Sequence, residues 1–367
     1  MPSNLDALTH RLVAAAQGQR SLTRLLGLAV VVLVLFSALS PNVFLSLINF
    51  QTIAFTVPEI GLLSLAIMVA MLTGGIDLSI VSMANLTALT TASLFAAFHA
   101  TDATGGTAVL LTLLFVLAGL VVALLAGLFN GFLVAVVGVT PILATLGTML
   151  LYNGIAIAWT GGEALYGMPD AFLALGNNTV AGLPISFVLF VLVGLALAVV
   201  VNRTPLGTKL RLVGANPTAA RFSGIDNRRV LFLTYVVTSL LAGGAGIVLA
   251  SHSASASADY GSSYLLLAIV VAILGGTNPS GGYGTVLGVV LATVTLQMVS
   301  SGFNIIRLSA FQYTIAQGLI LVVVMVVDAI AQGRRSRRAV PPPGGTGPTP
   351  PAPRTDEARP AASAPAS

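Results

Sequence analysis

The sequence contains no cysteine, and only 7% of its 367 residues are charged. The missing cysteines exclude disulfides, zinc–thiolate sites, iron–sulfur clusters and thiol nucleophiles. A typical soluble protein carries about 25% charged residues. A chain that is 56% hydrophobic and so poor in charge cannot cover the surface of a soluble fold with polar groups. The composition therefore excludes a soluble globular enzyme and predicts a polytopic membrane protein.

The sequence also contains few residues that could carry out catalysis. The three histidines, His10, His99 and His252, are far apart in the sequence, so no metal site is expected. No Gly-Lys-Ser/Thr sequence ends a glycine-rich loop, which means that the chain does not hydrolyse ATP alone. No nucleophile–base pair can be argued, so we expect no catalytic residues and no cofactor. The basic residues are spread over loops where topology explains them, and nucleic-acid binding is not expected.

Apolar stretches of about 20 residues are long enough to cross a bilayer as helices. The sequence contains ten of them, and the fold class predicted is therefore all-α, a polytopic protein with about ten transmembrane helices. The eighth stretch is short and ends at Gly275-Gly276, which indicates a broken or partial span. The predicted spans are 22–40, 53–73, 77–98, 107–130, 139–160, 184–201, 230–251, 262–277, 284–303 and 311–330.

The Lys and Arg residues fix the orientation, because loops rich in them stay in the cytoplasm. With ten spans and both termini cytoplasmic, Arg307 is the single one of the 16 basic residues that falls outside. We expect a cytoplasmic N-terminal segment at 1–21, either a short surface helix or a frayed terminus. A transmembrane permease domain follows at 22–332, and a disordered Pro/Ala-rich cytoplasmic tail at 333–367.

The segment Gly74-Gly75-Ile76-Asp77-Leu78-Ser79 interrupts an apolar run with two glycines, a carboxylate and a hydroxyl. Two interpretations remain open. Asp77 and Ser79 suit a capped turn that starts the next helix. Alternatively, a helix break lines a translocation path, since broken helices at membrane depth occur only inside protein or beside water. Glu59, a charge inside a span, is a functional candidate by default.

A second glycine-rich run, from Gly275-Gly276 to Gly284, resembles the first in form. Glu59 lies 15 residues before Gly74, and Asp259 lies 16 before Gly275, which indicates a weak internal repeat. Matching glycine-interrupted segments in two halves are typical of transport paths. The glycines are equally compatible with close helix packing alone.

The loop 202–229 is the most hydrophilic internal stretch. Asn216-Pro217 suits a helix start, with Asn as the cap and Pro in the first turn, and Gly224 suits a helix stop. A helix of two turns over 217–223 is marginal by itself. It docks either on the span ends of its own chain or on a soluble partner.

Four ordered motifs resemble a known family. The loop 202–229 carries Gly214-x-Asn216-Pro217-x-Ala219-Ala220-Arg221-x-x-Gly224-Ile225. The other motifs are Gly74 to Ser79, the stretch from Asn130 to Thr148, and Leu274-Gly275-Gly276-Thr277 to Gly282. Together they resemble the permease subunits of bacterial ATP-binding-cassette (ABC) importers, in particular the branch that serves ribose, xylose and related sugars.

The resemblance implies a type II-importer-like permease that forms the path for a monosaccharide. It implies a separate ABC ATPase subunit that grips the 217–223 helix, and a periplasmic or lipid-anchored sugar-binding protein that docks on loops 161–183 and 252–262. It also implies a second permease chain, in a homo- or heterodimer in the lipid bilayer of the inner membrane. The implied coupling residues are Gly214, Asn216, Pro217, Ala219, Ala220, Arg221 and Gly224. The implied path residues are Gly74, Gly75, Asp77, Ser79 and Glu59.

The alternative class is a stand-alone secondary transporter or channel for a small polar solute. It needs coupling ions at carboxylates inside the membrane, for which Glu59 and Asp77 are the plausible ligands. A docking helix in a cytoplasmic loop fits this class poorly. An integral-membrane enzyme is disfavoured because the spans carry too few catalytic side chains.

Overall fold

The structure is a computed structural model that describes residues 4–307 and five further helical positions, Gln312, Ile315, Gly318, Leu319 and Val322. The side chains are described from Leu22 onward. The elements below all belong to the unit Met1–Gly318. The predicted tail 333–367 and most of the predicted tenth span lie outside the described residues.

About four-fifths of the described residues are helical, which confirms the all-α prediction. Eight are long and apolar enough to cross a membrane among the residues that could be searched. In chain order the helices are α1 Asn4–Leu39, α2 Pro41–Phe44, α3 Leu47–Leu72, α4 Ile80–Ala97, α5 Gly105–Phe132 with a π-helical turn Leu133–Val137, α6 Pro141–Thr160, α7 Asp170–Asn177, α8 Ile185–Arg203, α9 Pro205–Ala215, α10 Pro217–Phe222, α11 Asn227–Ser253, α12 Tyr264–Leu274 and α13 Val286–Ile305.

The N-terminal segment differs from the sequence-based expectation. The segment before the first span is no separate surface helix, because α1 runs unbroken from Asn4 to Leu39. At 1.5 Å per residue this is about 54 Å, longer than the roughly 30 Å hydrocarbon core. The eighth stretch is a partial span, as its glycine pair indicates: it forms only the 11-residue α12, long enough to cross about half of that core.

The centre of the bundle is made by α3 and α11, which pack on each other and on α4. Small residues allow the close approach, as expected where helices associate inside lipid. A Cβ at Gly246 of α11 would overlap the backbone carbonyl of Ala84 in α4. The outer faces of α1, α5 and α8 carry exposed apolar side chains such as Val34, Leu113 and Leu192, as lipid contact requires.

The two ends of the bundle differ in chemistry. One end carries α9, α10 and the six basic residues of the loop 202–229, and we call it the basic end. The opposite end carries α7, a hairpin of β1 Thr179–Val180 with β2 Leu183–Pro184, and the loop 254–263.

Loops that are distant in sequence form one cap over the opposite end. Leu165 and Ala256 exchange backbone hydrogen bonds of 2.8 and 2.9 Å. The Gly176 N–H donates to the Ser251 hydroxyl at 2.7 Å. The two predicted binding-protein loops, 161–183 and 252–262, are therefore neighbours in the structure.

Candidate functional site

The first glycine-rich break lies at the basic end of α3. After Leu72 the chain turns at Gly74, whose φ of 80° is a left-handed conformation that favours glycine. Gly75 lies against Pro141 and the Tyr235 hydroxyl, each 3.1 Å from where a Cβ would stand. Local geometry therefore favours glycine at both positions, at Gly74 through its backbone angle and at Gly75 through close packing.

Asp77 is fully buried, with 0% of its surface exposed, and its carboxylate accepts three hydrogen bonds. Oδ1 accepts from the Ser79 N–H at 3.0 Å and from the Ser79 hydroxyl at 2.6 Å. Oδ2 accepts from the Thr238 hydroxyl of α11 at 2.9 Å. A buried carboxylate without such donors is costly, so these bonds explain how the break holds a charge-bearing group in the interior.

The network continues into α5 and α6. The Asn130 side-chain amide donates to the Ser79 hydroxyl at 2.8 Å, and the Tyr152 hydroxyl lies 2.9 Å from the Ala126 carbonyl and 3.3 Å from the Asn130 Oδ1. Thr145 of α6 accepts from the Leu78 N–H at 3.1 Å. The break is therefore tied by side chains to three helices that surround it.

The capped-turn interpretation of this segment is partly right: a turn forms, but its hydrogen bonds differ from those of a helix cap. Ser79 stands at the N-cap of α4, yet its side chain makes no capping bond to that helix. Asp77 instead bonds to the N–H two residues on, which is the pattern of an Asx turn. A role of these residues in a translocation path stays a prediction.

Glu59 belongs to a second, separate polar cluster. It lies on α3 beside Pro58 and is only 5% exposed. Its Oε1 is 2.5 Å from the His252 Nδ1, and the Tyr264 hydroxyl is 3.5 Å from its Oε2. The cluster borders a pocket of about 10 Å³, room for about one water. The His252 ring also stacks on Phe55, with centroids 6.1 Å apart.

The two carboxylates do not share a site. Leu72, where the break begins, lies thirteen residues after Glu59 on α3, a distance of about 20 Å along a helix. Each carboxylate also has its own hydrogen-bonding partners. No group of three or more His, Asp and Glu side chains with metal-binding geometry occurs among the described residues. This separation removes the simplest ion site of the secondary-transporter alternative.

The loop at the basic end folds as its sequence indicates. The Asn216 Oδ1 accepts from the Ala219 N–H at 3.0 Å and so caps α10. The helix ends before Gly224, which has a φ of 80°, and the Ile225 N–H returns to the Ala220 carbonyl at 3.1 Å. The only buried residue of α10 is Ala220. The helix therefore presents the rest of its surface outward.

Phe222 is the feature of α10 that sequence reasoning missed. It is 89% exposed, beside the equally outward Arg221, and no large apolar side chain among the described residues is more exposed. Exposed aromatic and arginine side chains are the residue types that dominate binding at protein interfaces. The family motif could not identify Phe222, because it specifies no residue type at the two positions between Arg221 and Gly224.

α9 connects this exposed helix to both glycine-rich breaks. A Cβ at Gly214 would overlap the Leu72 carbonyl oxygen at the end of α3 and would lie 2.7 Å from the Gly282 nitrogen. The Gly282 N–H itself donates to the Leu72 carbonyl at 3.0 Å. A Cβ at Gly74 would stand 3.5 Å from the Ser280 carbonyl. We call Leu72, Gly214, Gly281 and Gly282 the three-way junction.

Arg211 reinforces this arrangement from α9. Its guanidinium donates to the Asn202 Oδ1 at 2.8 Å and reaches the Gly284 carbonyl at 3.5 Å. Burial lowers the pKa of Arg211 from its ordinary value, which reflects its withdrawal from water against the second break. The basic end therefore forms one packed unit in which α10 is the outermost element.

Comparison with known proteins identifies the family of this chain. Residues 49–327 match the family model described as "Branched-chain amino acid transport system / permease component". The chain is similar to two proteins named autoinducer 2 import system permease protein. It is 33% identical to the one from Enterobacter sp. over 85% of this chain and 94% of that protein, and 32% identical to the one from Klebsiella pneumoniae over 86% and 93%.

A third relative is a probable ABC transporter permease protein of Sinorhizobium fredii, 32% identical over 78% of this chain and 83% of that protein. No solved structure matches the chain. The chain belongs to this family of transport-system permease components. It is the permease subunit of an ABC importer, a multi-pass protein of the bacterial inner membrane and not itself an enzyme. The sequence-based recognition of an ABC importer permease is confirmed.

Proposed function

We propose that this permease carries a small neutral sugar or sugar-like solute into the cell, and that an ATPase subunit drives it through α10. The observation that carries the coupling role is the geometry of the basic end. The helix α10 exposes Phe222 and Arg221 to solvent, while the preceding α9 packs on both glycine-rich breaks through the three-way junction. A partner that grips α10 would thereby act on the end of α3 and on the second glycine-rich break.

The proposed coupling surface consists of Asn216, Pro217, Ala219, Arg221 and Phe222. Gly214 and Ala220 pack beneath it, and Gly224 lies in the exposed turn that ends α10. Positive loops remain in the cytoplasm, so the basic end faces the compartment where ATP is present. If α10 docked only on the ends of the transmembrane helices of its own chain, the Phe222 side chain would remain exposed to solvent. For that reason we favour a soluble partner.

For the translocation path we propose that the two breaks form its inner gate. Gly74 and Gly75 permit the turn, while Asp77 and Ser79 secure it in this state through the network to α5 and α11. Glu59 is proposed to lie beside the outer part of the path. Movement of the breaks relative to α11 would then open the path as the ATPase cycles, in the manner of gating between two states.

Two separate observations indicate the substrate class. The motif Gly74 to Ser79 resembles that of importers for ribose and xylose, which makes a monosaccharide of that kind the first candidate. The second candidate is autoinducer 2, because the relatives from Klebsiella and Enterobacter carry that substrate in their names. Uptake of labelled D-ribose, D-xylose, autoinducer 2 and leucine by cells with and without the permease separates these candidates.

A binding protein and a second permease chain complete the proposed assembly. The cap formed by residues 161–183 and 252–262 exposes Tyr166 and Val180, and it is the surface on which we propose that the binding protein docks. Size measurement of the purified complex by mass photometry, with and without a differently tagged second copy, tests whether two identical chains pair.

The coupling proposal is tested by purifying the tagged permease in a mild detergent together with its ATPase. We expect Arg221→Glu to abolish co-purification and Phe222→Ala to weaken it. Arg307→Glu is the matched control, since it reverses a single exposed charge at the opposite end of the bundle. Full ATPase recovery with Arg221→Glu would remove the docking role from α10.

A further inference from the structure

A polar groove lies at the opposite end of the bundle, between the beginning of α3 and the end of α13. Its volume is about 290 Å³, at the lower end of the roughly 300–1,000 Å³ range of small-molecule pockets. Seven of its nine described lining side chains are hydroxyls or amides, and none of the nine is charged. The lining residues are Asn49, Thr52, Ile53, Thr56, Gln297, Ser300, Ser301, Asn304 and Ile305.

The back of the groove is fixed by buried side chains. Asn49 is 8% exposed, donates to the Phe44 carbonyl at 2.8 Å and accepts a short hydrogen bond from the Ser301 hydroxyl. Gln297, also 8% exposed, donates to the Thr56 carbonyl at 3.3 Å and so bridges α13 to α3. These bonds hold the polar lining in a defined shape before any ligand arrives.

The front of the groove keeps its hydrogen-bonding capacity. Ser300 lies three residues after Gln297 along α13, and Asn304 lies four residues after Ser300, which places all three on one helix face. Within the described part of the chain neither Ser300 nor Asn304 forms a side-chain hydrogen bond. They are thus available to a solute, whereas Asn49 and Gln297 are occupied in shaping the site.

A lining of this kind cannot face lipid tails, because polar groups in hydrocarbon must find partners. The outer surfaces of α1 and α5 show the contrast, with apolar side chains such as Val34 and Leu113. Water or a polar solute therefore satisfies this lining better than lipid tails do. The absence of charge among the described lining residues disfavours an ion or a zwitterionic amino acid, which would need a counter-charge when it leaves water.

We propose that this groove is an entry subsite for a neutral, polyhydroxylated solute, at the start of the translocation path. The proposal rests on the proposed import function and names the residues that meet the solute first. Ser300 and Asn304 donate and accept hydrogen bonds with its hydroxyl groups, and Gln297 with Asn49 forms the rigid back wall. α3 connects the groove with the three-way junction, since it begins beside the groove and ends at Leu72.

The chain contains no cysteine, so single cysteines can be introduced without altering the background. We would place the permease in nanodiscs, without its ATPase, and label Ser300→Cys and Thr52→Cys with a charged methanethiosulfonate reagent. Leu113→Cys is the control, because Leu113 is 64% exposed on the apolar outer face of α5. We expect rapid labelling of both groove cysteines and none of the control.

Labelling in the presence of D-ribose, D-xylose, D-glucose or leucine then tests which class of solute binds in the groove. Protection of Ser300→Cys by at least one sugar, and not by leucine, supports the proposal. Absence of labelling, protection by leucine, or labelling that no sugar slows would each overturn it. The ATPase is not needed for this measurement, so its result is distinguishable from a failure of the coupling proposal, which co-purification reports.

Transport kinetics give a second, independent test. Removing one hydrogen bond costs about 0.5–1.5 kcal/mol, so Ser300→Ala and Asn304→Ala should each raise the half-saturating sugar concentration roughly two- to tenfold. The maximal rate at saturation should stay near that of the unaltered chain. Thr112→Val serves as the control, since the Thr112 hydroxyl is buried in α5 without a partner among the described residues. An unchanged half-saturation in both alanine variants would contradict the subsite.

Discussion

Replacing Gly214 with alanine tests whether α9 transmits force from the coupling helix to the breaks. The added Cβ would overlap the Leu72 carbonyl oxygen and approach the Gly282 nitrogen to 2.7 Å. Both neighbours are backbone atoms, so no side-chain rotation relieves the clash. The three-way junction must open by enough to admit a methyl group.

The energetic consequence has two parts. Overpacking of a tightly packed interior costs typically about 1–3 kcal/mol. Weakening the hydrogen bond from the Gly282 N–H to the Leu72 carbonyl, 3.0 Å long, adds about 1 kcal/mol. The packed state of the junction therefore loses about 2–4 kcal/mol, and its population relative to an opened junction falls at least roughly 30-fold.

The fold of α10 itself does not depend on that contact, because its cap is the bond from the Ala219 N–H to the Asn216 side chain. We therefore expect Gly214→Ala to retain the ATPase on purification and to lose most ATP-driven uptake. The assay compares uptake with ATP hydrolysed, in proteoliposomes that contain the variant and its ATPase.

Gly106→Ala is the matched control, since a Cβ at Gly106 meets nothing within 4 Å, and it should transport normally. A Gly214→Ala permease with the same uptake per ATP as the unaltered chain would refute mechanical transmission through the junction. Loss of the ATPase from Gly214→Ala would refute the separation of docking from transmission.

Further predictions concern the network, the docking surface and the tail. The Asp77→Asn permease should insert and keep much of its uptake, because an amide can still accept from Ser79 and donate to the Thr238 oxygen. The Asp77→Leu permease should give a severely reduced folded yield. Equal yields of the two variants, measured by fluorescence-detected size exclusion, would contradict this. Phe222→Ala should weaken ATPase binding by about 2 kcal/mol, close to 30-fold, and an unchanged affinity in titration would show that the side chain is not an anchor. His252→Phe should destabilise the protein by removing the closest partner of the buried Glu59, and restored thermal stability in Glu59→Gln/His252→Phe would identify the pairing as the cause. Deleting 339–367 should leave uptake unchanged, and lost uptake at normal expression would give the tail a role in transport.

The sequence predicts the long helices well because each signal is local. An apolar run of about 20 residues suffices for a span, and Asn216-Pro217 followed by Gly224 suffices for the start and end of α10. The same local logic predicts the interruption at Gly275-Gly276, which the structure shows as the short α12. The continuity of α1 through residues 4–39 is less evident locally, since charge and polarity before Leu22 do not by themselves end a helix.

The contacts that give the residues their roles could not be predicted, because they join positions far apart in the chain. Asp77 and Thr238 are separated by 161 residues, and Glu59 and His252 by 193. The motif comparison includes Gly214 but gives no reason for it, which is the approach of two backbones at Leu72 and Gly282. The groove between α3 and α13 likewise exists only once the helices are packed.

The central claim, ATP-driven import through docking at α10, is tested most directly by reconstituting the permease with its ATPase and binding protein in proteoliposomes. The measured quantity is sugar uptake with ATP or a non-hydrolysable analogue, in the presence and absence of an ionophore that collapses ion gradients. The account predicts uptake that requires hydrolysis, ignores the ionophore and disappears with Arg221→Glu. Uptake that proceeds without ATP and stops with the ionophore would contradict it and establish a secondary transporter.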